Sequence, residues 1–419
     1  MKHLIHYFRN NYQSKIATMP EPSLGIVVVI PCFNEPELGK SLQSLANCNL
    51  PECSVEIIVV VNFGEHVDSS IKANCYSNYE ETKALSSTLS TAKFTIRPIL
   101  IEDIACKQAG VGFARKTGMD EAAYRFMQLN RPNGTILCFD ADSGCDDNYF
   151  TAVEQYYKEN PKTQAFSVYY EHPVNGNDYT EEIYQGIAQY ELHLRYYNQA
   201  CRIAGLPFAY HTVGSSMGCT ASAYAKVGGM NKRKAGEDFY FLQKLIPLGN
   251  FAEINTTRVI PSPRISDRVP FGTGRAMMKY INEQQNEILT YRFGAFKAVK
   301  DLIDLVPKLY QTSRTEQFNL IDTLYPELRT YLQSIGFYEA MEELHENSGD
   351  YFAFKNRFFK WFDAFRTLKF MNRIHEDHWD RKPVSTEAAK LLSVLKNEPV
   401  NSSLTVKELL EEYRTIERA

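Results

Sequence analysis

Residues 24–30, Leu24-Gly25-Ile26-Val27-Val28-Val29-Ile30, are apolar without interruption and rich in β-branched side chains. A second such run, Val55-Glu56-Ile57-Ile58-Val59-Val60-Val61, is broken only by Glu56. A strand with one wet face alternates polar and apolar residues. A strand with no polar face must be covered on both sides, as in a parallel sheet. Parallel neighbours need a crossover across the sheet face. The interval between the two runs provides one, because Leu38, Leu42 and Leu45 recur at helical spacing from Glu37 onward. Pro31 is expected to close the first strand.

The same alternation continues downstream. Residues 94–101 predict a third strand, with Pro98 marking an edge or a bulge. A helix is expected over 111–129, a strand over 135–139, a helix capped by Asp146 or Asp147 and ending near 158, and a strand over 164–170. The polar stretch 62–93 is too long for a simple connection and reads either as a helix or as a mobile loop. Further on, the patterns predict a long helix over 181–204, an extended segment over 208–213 and helices over 222–227 and 237–246. After residue 275 nearly everything reads as helix. The expected class is α/β, a Rossmann-like, mostly parallel sheet flanked by helices, followed by a helical C-terminal region. The divisions read as an N-terminal helical extension (1–23), an α/β domain (24–275) and the helical region (276–419).

Bulk properties narrow the function. The net charge of -4 provides no basic field for nucleic acid, so none is expected as a partner. Nine cysteines occur with no C-x-x-C pair, which reads as reduced, mostly buried thiols in a cytoplasmic protein and not as a zinc site. No apolar run has the length of a membrane span, and the first residues lack the compact apolar core of a signal peptide.

The sharpest chemical motif is Asp140-Ala141-Asp142, placed where a predicted strand ends. Period-two alternation would turn both carboxylates to the same side. Ligands of open α/β sheets bind beyond the carboxyl ends of the strands, and two hard oxygen ligands there suit Mg²⁺ or Mn²⁺ bridging a diphosphate. An EF-hand is excluded, since Gly144 stands at the third acidic position and Thr151 at the twelfth. Three other segments carry polar groups at comparable places: Ile30-Pro31-Cys32-Phe33-Asn34-Glu35, Gly112-Phe113-Ala114-Arg115-Lys116-Thr117-Gly118, and Ala235-Gly236-Glu237-Asp238.

In order and spacing these four segments resemble the GT-A glycosyltransferases of family two, and the likeness extends over about residues 24–270. Gly214-Ser215-Ser216-Met217-Gly218, through Gly229, resembles that family's acceptor-side region. The resemblance implies a GT-A fold and a hexosyltransferase-type reaction dependent on Mn²⁺ or Mg²⁺. A sugar would pass from a nucleotide-sugar donor to an acceptor hydroxyl on a saccharide, a lipid-linked compound or a small molecule. It implies inversion with Asp238 as base beside Glu237, donor contacts from Pro31, Asn34, Glu35, Asn62, Arg115 and Asp140, and metal ligation by Asp140, Asp142 and Asp267. Asn62 departs from the pattern, which commonly has an Asp there to read the base. Arg264, Arg268 and Arg275 are candidates for phosphate contacts.

Two rival readings come from other classes. Gly214-Ser215-Ser216-Met217-Gly218 satisfies the G-x-S-x-G of a hydrolase elbow, with Ser216 as nucleophile and His375 or His378 to complete a triad. A catalytically inactive GT-A-like binding module is the other. Gly110-Val111-Gly112 begins like a dinucleotide fingerprint, but Arg115 stands at its third glycine. Residues 351–373 read as one helix with Phe354, Phe358, Trp361, Phe365 and Leu368 on one face and six basic residues around it. That face is expected to pack in a core or at a homodimer interface; contact with an anionic membrane surface is the other reading.

Overall fold

The structure is a computed structural model. It describes the whole chain except residues 234–235, 267, 269–271, 284–286 and 401–403. The chain divides into two compact units: residues 1–187, 212–282 and 418 in one, and 188–211, 283–417 and 419 in the other. The boundary read near 275 falls inside a helix, Thr273–Asn282.

The first unit is built on one eight-stranded sheet. Its strands are β1 (Leu24–Cys32), β2 (Ser54–Gly64), β3 (Phe94–Ile104), β4 (Thr135–Cys138), β5 (Gly144–Cys145), β6 (Ala165–Tyr170), β7 (Met217–Thr220) and β8 (Phe251–Ile260), in the order β3-β2-β1-β4-β7-β6-β8-β5. β3, β2, β1 and β4 run parallel, β7 runs against both its neighbours, and β6 and β8 are parallel again. The α/β architecture expected from the sequence is the one observed. Every residue of β2 is buried, Glu56 included, because Arg125 and Arg97 both ion-pair with that carboxylate.

The helices of this unit are α1 (Lys2–Tyr7), α2 (Leu38–Ala46), α3 (Ser69–Leu89), α4 (Val111–Gln128), α5 (Tyr149–Glu159), the start of α6 (Glu181–Ile203), α7 (Ala221–Lys226), α8 (Glu237–Leu245) and α9 (Thr273–Asn282), with α2, α3, α4, α5 and α7 packed on the sheet. Several expectations need correcting. Pro31 does not close β1; it pairs with Val60, and the strand continues to Cys32. The polar stretch after β2, by contrast, takes the first of its two readings and is mostly the 21-residue helix α3. α5 is not capped by an aspartate side chain: its N-cap is Asn148, and the Asp146 carboxylate is drawn away by Arg258, whose Nη2 lies 3.0 Å from it. Residues 208–213 form no strand; the strand of that region is β7.

The second unit is helical: the rest of α6, then α10 (Phe293–Leu309), α11 (Arg314–Ile321), α12 (Pro326–Ser334), α13 (Phe337–Glu346), α14 (Tyr351–Trp361), α15 (Ala364–Asp377), α16 (Val384–Lys396) and α17 (Val406–Arg418). A two-residue pair, β9 (Leu289–Thr290) with β10 (Lys382–Pro383), accompanies them. A buried charge network joins α6 to α17. Glu191 accepts from Arg195 Nε at 2.9 Å and from Arg414 Nε at 2.8 Å, while Glu417 meets Arg195, Gln199 and His211. Burial works to raise the Glu417 pKa, but His211 and Arg195 hold it down at about 2.

The aromatic basic segment is two helices, not one. Phe362 ends α14 and the Asp363 side chain caps α15, accepting from Arg366 N at 2.9 Å. Aspartate favours that capping position, and the cap outweighs continuation of the helix. Phe354, Phe358 and Phe362 are all buried. Of the apolar face read from sequence, Phe354 and Phe358 are buried and Trp361, Phe365 and Leu368 half-buried, so, the exposed Phe352 apart, the segment should not bring the protein down with anionic vesicles. Co-sedimentation should match that with zwitterionic vesicles at every salt concentration; a salt-sensitive excess on the anionic ones would refute this. Among the described residues no helix is long and apolar enough to cross a membrane.

Candidate active site

β1 and β4 are parallel neighbours, with Val29 opposite Cys138. Their carboxyl ends therefore deliver Asn34-Glu35 and Asp140-Asp142 to the same edge. The chain leaves β1 through Asn34 in a left-handed conformation (φ 49°), which asparagine tolerates better than most residues. One face of α3 holds this turn. Asn74 Nδ2 donates to Asn34 Oδ1 at 2.9 Å, and Asn78 grips the Glu35 backbone from both sides, accepting from its N–H and donating to its carbonyl.

Asp140 and Asp142 do not sit on a strand. β4 ends at Cys138, and 140–143 form a turn closed by Ser143 N–H donating to Asp140 O at 3.1 Å. Strand alternation is therefore not what orients the two acids. The turn is fixed from the side by Ser41 Oγ of α2, 3.1 Å from Asp140 O.

Arg115 is 3% exposed and sits between two acids: its Nη2 lies 2.5 Å from Asp140 Oδ1, and its Nη1 pairs with Glu237. Burial opposes its charge, but Asp140 and Glu237 keep it protonated. Gly214 makes the room. A Cβ there would come within 2.7 Å of Nη1 and 2.8 Å of Nη2. Gly236, in the left-handed region (φ 68°), turns the chain into α8 so that Glu237 and Asp238 open the helix, where acids are favoured. Asp238 Oδ1 accepts from Phe239 N at 2.7 Å.

On the other side, Glu35 is 2% exposed and receives a fork from Arg264, Nη1 to Oε1 at 2.9 Å and Nη2 to Oε2 at 2.7 Å. Arg268 Nη1 joins at 2.7 Å. Both arginines also reach Asp142 Oδ2, at 3.0 Å from Arg264 and 3.5 Å from Arg268. A polar cavity of about 500 Å³ adjoins this cluster, lined by Asn34, Glu35, Asn74, Asn78, Arg264 and Arg268 among others.

The titration behaviour follows from this crowding. Burial raises Asp142 to about 6, with Asp140 and Glu35 adding to it against Arg264 and Arg268. Burial would raise Glu35 too, but the same two arginines hold it below the usual carboxylate range. Glu237 is pushed up to about 7 by burial, with Asp238 and Asp140 adding to it and Arg115 working against it. Asp238 is likewise raised, chiefly by burial. Between the ordinary value of 4.5 and about 7 the native state then holds a proton that the unfolded chain has released. Stability contributed by this acid is present at low pH and falls as pH rises through that window. Denaturant midpoints from pH 4.5 to 7.5 should show the decline, and Glu237→Gln should flatten it; an unchanged slope in the variant would assign it elsewhere.

A divalent cation fits the Asp140–Asp142 edge. The donors are two carboxylates, hard oxygens of the kind that such an ion takes. Two carboxylates suffice for Mg²⁺ or Mn²⁺, which fill their remaining positions with water and substrate phosphate. Asp267 lies outside the described residues. Among those described, one trio of ligands can surround a single ion, the exposed Glu65, His66 and Cys106, and it shares no residue with this edge.

The structure thus brings Glu35, Arg115, Asp140, Asp142, Glu237 and Asp238 into one charge cluster, with Arg264 and Arg268 completing it and Asn34 lining the cavity beside it. Arg275 is apart, exposed against Met278. Pro31 is a ladder residue of β1, and Asn62 is buried, its amide donating to Gly110 O at 3.3 Å. Ser216 is 2% exposed, its hydroxyl 3.5 Å from that of Ser215, in the approach to β7 and not at an open elbow. Both ring nitrogens of His375 are engaged, with Met371 O and Arg292 N. Sequence reasoning missed Asn74 and Asn78, whose i, i+4 spacing was the available signal, and Tyr179, whose hydroxyl meets Ser262 at 3.2 Å close to Arg264 and Asp142.

No family model and no curated protein matches this chain. Among solved structures it is similar to TarS of S. aureus. Residues 1–349 with UDP-GlcNAc align at 11% identity and a TM-score of 0.39, covering 80% of this chain and 91% of that one. The same TarS fragment with UDP aligns at 13% identity and 0.38, covering 94% and 90%. Likeness at this level carries no argument about activity, which rests on the site.

Proposed function

We propose that this protein is a family-two type glycosyltransferase, moving a sugar from a nucleoside-diphosphate sugar to an acceptor hydroxyl. The observation that carries the reading is convergence. Four motifs spread from Glu35 to Asp238 meet beyond the ends of β1 and β4 in one charge cluster.

Asp140 and Asp142 would hold Mg²⁺ or Mn²⁺, which when bound neutralises the departing diphosphate. The chain's own groups do the rest. Arg115 fixes Asp140 and Glu237 in place; Glu237, buried in that pair, positions rather than reacts. Asp238 lies in the same field with its pKa raised by burial, which makes it a stronger base than an ordinary carboxylate. It takes the proton of the acceptor hydroxyl as that oxygen attacks the anomeric carbon, and displacement from the face opposite the diphosphate inverts that centre.

A thermal-shift screen of UDP-, GDP- and dTDP-sugars with Mn²⁺ tests this. One nucleotide class should raise the midpoint, with about 2.7 kcal/mol of stabilisation at a hundred times Kd, and EDTA should abolish the rise. A flat response to every donor, with and without Mn²⁺, would sink the proposal.

A further inference from the structure

Asp142, one of the two acids read as metal ligands, is already answered by two guanidiniums. Their geometry is asymmetric. Arg264 spends both forked nitrogens on the buried Glu35, at 2.9 and 2.7 Å, and only the remaining capacity of Nη2 reaches Asp142. Arg268 is the same: 2.7 Å to Glu35 and a looser 3.5 Å to Asp142. Glu35 is itself held by Asn78 and is 2% exposed, so it is the fixed post and Asp142 the exchangeable partner.

We propose that Arg264 and Arg268, anchored on Glu35, occupy the place of the divalent cation at Asp142 until the donor arrives, and then serve the donor's diphosphate. This rests on the reading of Asp140 and Asp142 as metal ligands and adds the order of events. A bare divalent cation approaching Asp142 meets two guanidiniums and is repelled. A bare diphosphate meets Asp140 and Asp142 and is repelled as well. A cation and a diphosphate arriving together exchange partners without changing the charge of the cluster. Asp142 passes from guanidinium to metal, and the second hydrogen-bonding edge of each guanidinium passes from Asp142 to phosphate oxygen. Because both arginines stay on Glu35, no backbone movement is required. Metal and diphosphate then bind with positive coupling, which linkage makes reciprocal.

The test is Mn²⁺ binding, read from the electron paramagnetic resonance signal of the free ion, on the full chain without nucleotide and then with saturating UDP or GDP. Wild type should bind Mn²⁺ weakly alone and about tenfold or more tightly with the nucleotide that fits. In Arg264→Gln, Mn²⁺ affinity without nucleotide should rise about tenfold, since one repelling charge is gone, and the gain from nucleotide should shrink. Arg264→Lys keeps the charge and should behave as wild type toward Mn²⁺ alone, which separates charge from misfolding. If Arg264→Gln binds Mn²⁺ no more tightly than wild type, while Asp142→Asn abolishes binding, the exchange is wrong and the metal reading stands. If neither wild type nor Arg264→Gln binds Mn²⁺ with or without nucleotide, the metal reading itself is wrong.

Discussion

Asp142→Asn should lower the turnover of sugar transfer by roughly a thousandfold, the scale on which a single charge-stabilising group is lost from an active site, while the folding midpoint stays close to that of wild type. Both halves come from the same surroundings. The carboxylate is the more enclosed of the two acids in the turn, its side chain 21% exposed against 38% for Asp140. Its pKa of about 6, raised by burial and by Asp140 and Glu35, means the native state tolerates its charge reluctantly. Asparagine keeps the shape and removes the charge, and Arg264 retains its fork on Glu35. Activity assays beside calorimetry check the pairing. Transfer that persists in the variant, or in wild type with excess EDTA, would remove Asp142 and its ion from the mechanism.

Arg115→Leu should be the most damaging change to stability, at about 3–5 kcal/mol. Replacing a whole buried ion pair by apolar groups can be neutral; removing one member is not, because its partner stays buried and unanswered. Arg115 serves three acids: Asp140 and Glu237 by direct contact, Asp238 through its field. Arg115→Lys should recover only part of the loss, since an ammonium cannot span both partners as a planar fork does. Gly214→Ala should reproduce a weaker form of the defect by crowding both Nη atoms. Urea unfolding of the four proteins orders them; an Arg115→Leu variant as stable as wild type would show that Glu237 and Asp238 discharge themselves by protonation instead.

The parts of this fold legible in sequence were those in which composition and periodicity agreed. β1 and β2 announce themselves because a strand buried on both faces cannot hide its character, and α2 and α4 because their apolar residues recur at a helical step. α3 could be read only as one of two alternatives, helix or loop, for the opposite reason: it buries only Cys75, Asn78 and Thr82, two of them polar, so it has no apolar stripe. β7 is four residues, Met-Gly-Cys-Thr, too short and too small to show a pattern, and only its neighbours β4 and β6 make it a strand. In the site, Asp140 and Asp142 stood out because two acids stand where a strand ends, while Glu35, Arg115, Glu237 and Asp238 were legible only through the family resemblance that their motifs carry. The Glu35 fork did not, because Arg264 is more than two hundred positions away, |i−j| 229, and nothing local marks an arginine as the partner of one carboxylate rather than of water.

The passage of the chain through α6 bears on how the protein can be taken apart. Residues 188–211 belong with 283–417, yet 212–282 return to the sheet unit. No single cut yields either unit whole. A fragment stopping near 275 would carry Glu191 and Arg195 without Arg414 and Glu417, leaving charges that are fully enclosed in the intact chain facing water or each other. A fragment beginning there would carry Arg414 and Glu417 without Glu191 and Arg195, their partners in the intact chain. Separating the units by limited proteolysis should therefore give nicked, co-purifying pieces rather than two independent products, and any attempt to express the sheet unit alone calls for a linker bridging 187 to 212 instead of a stop codon.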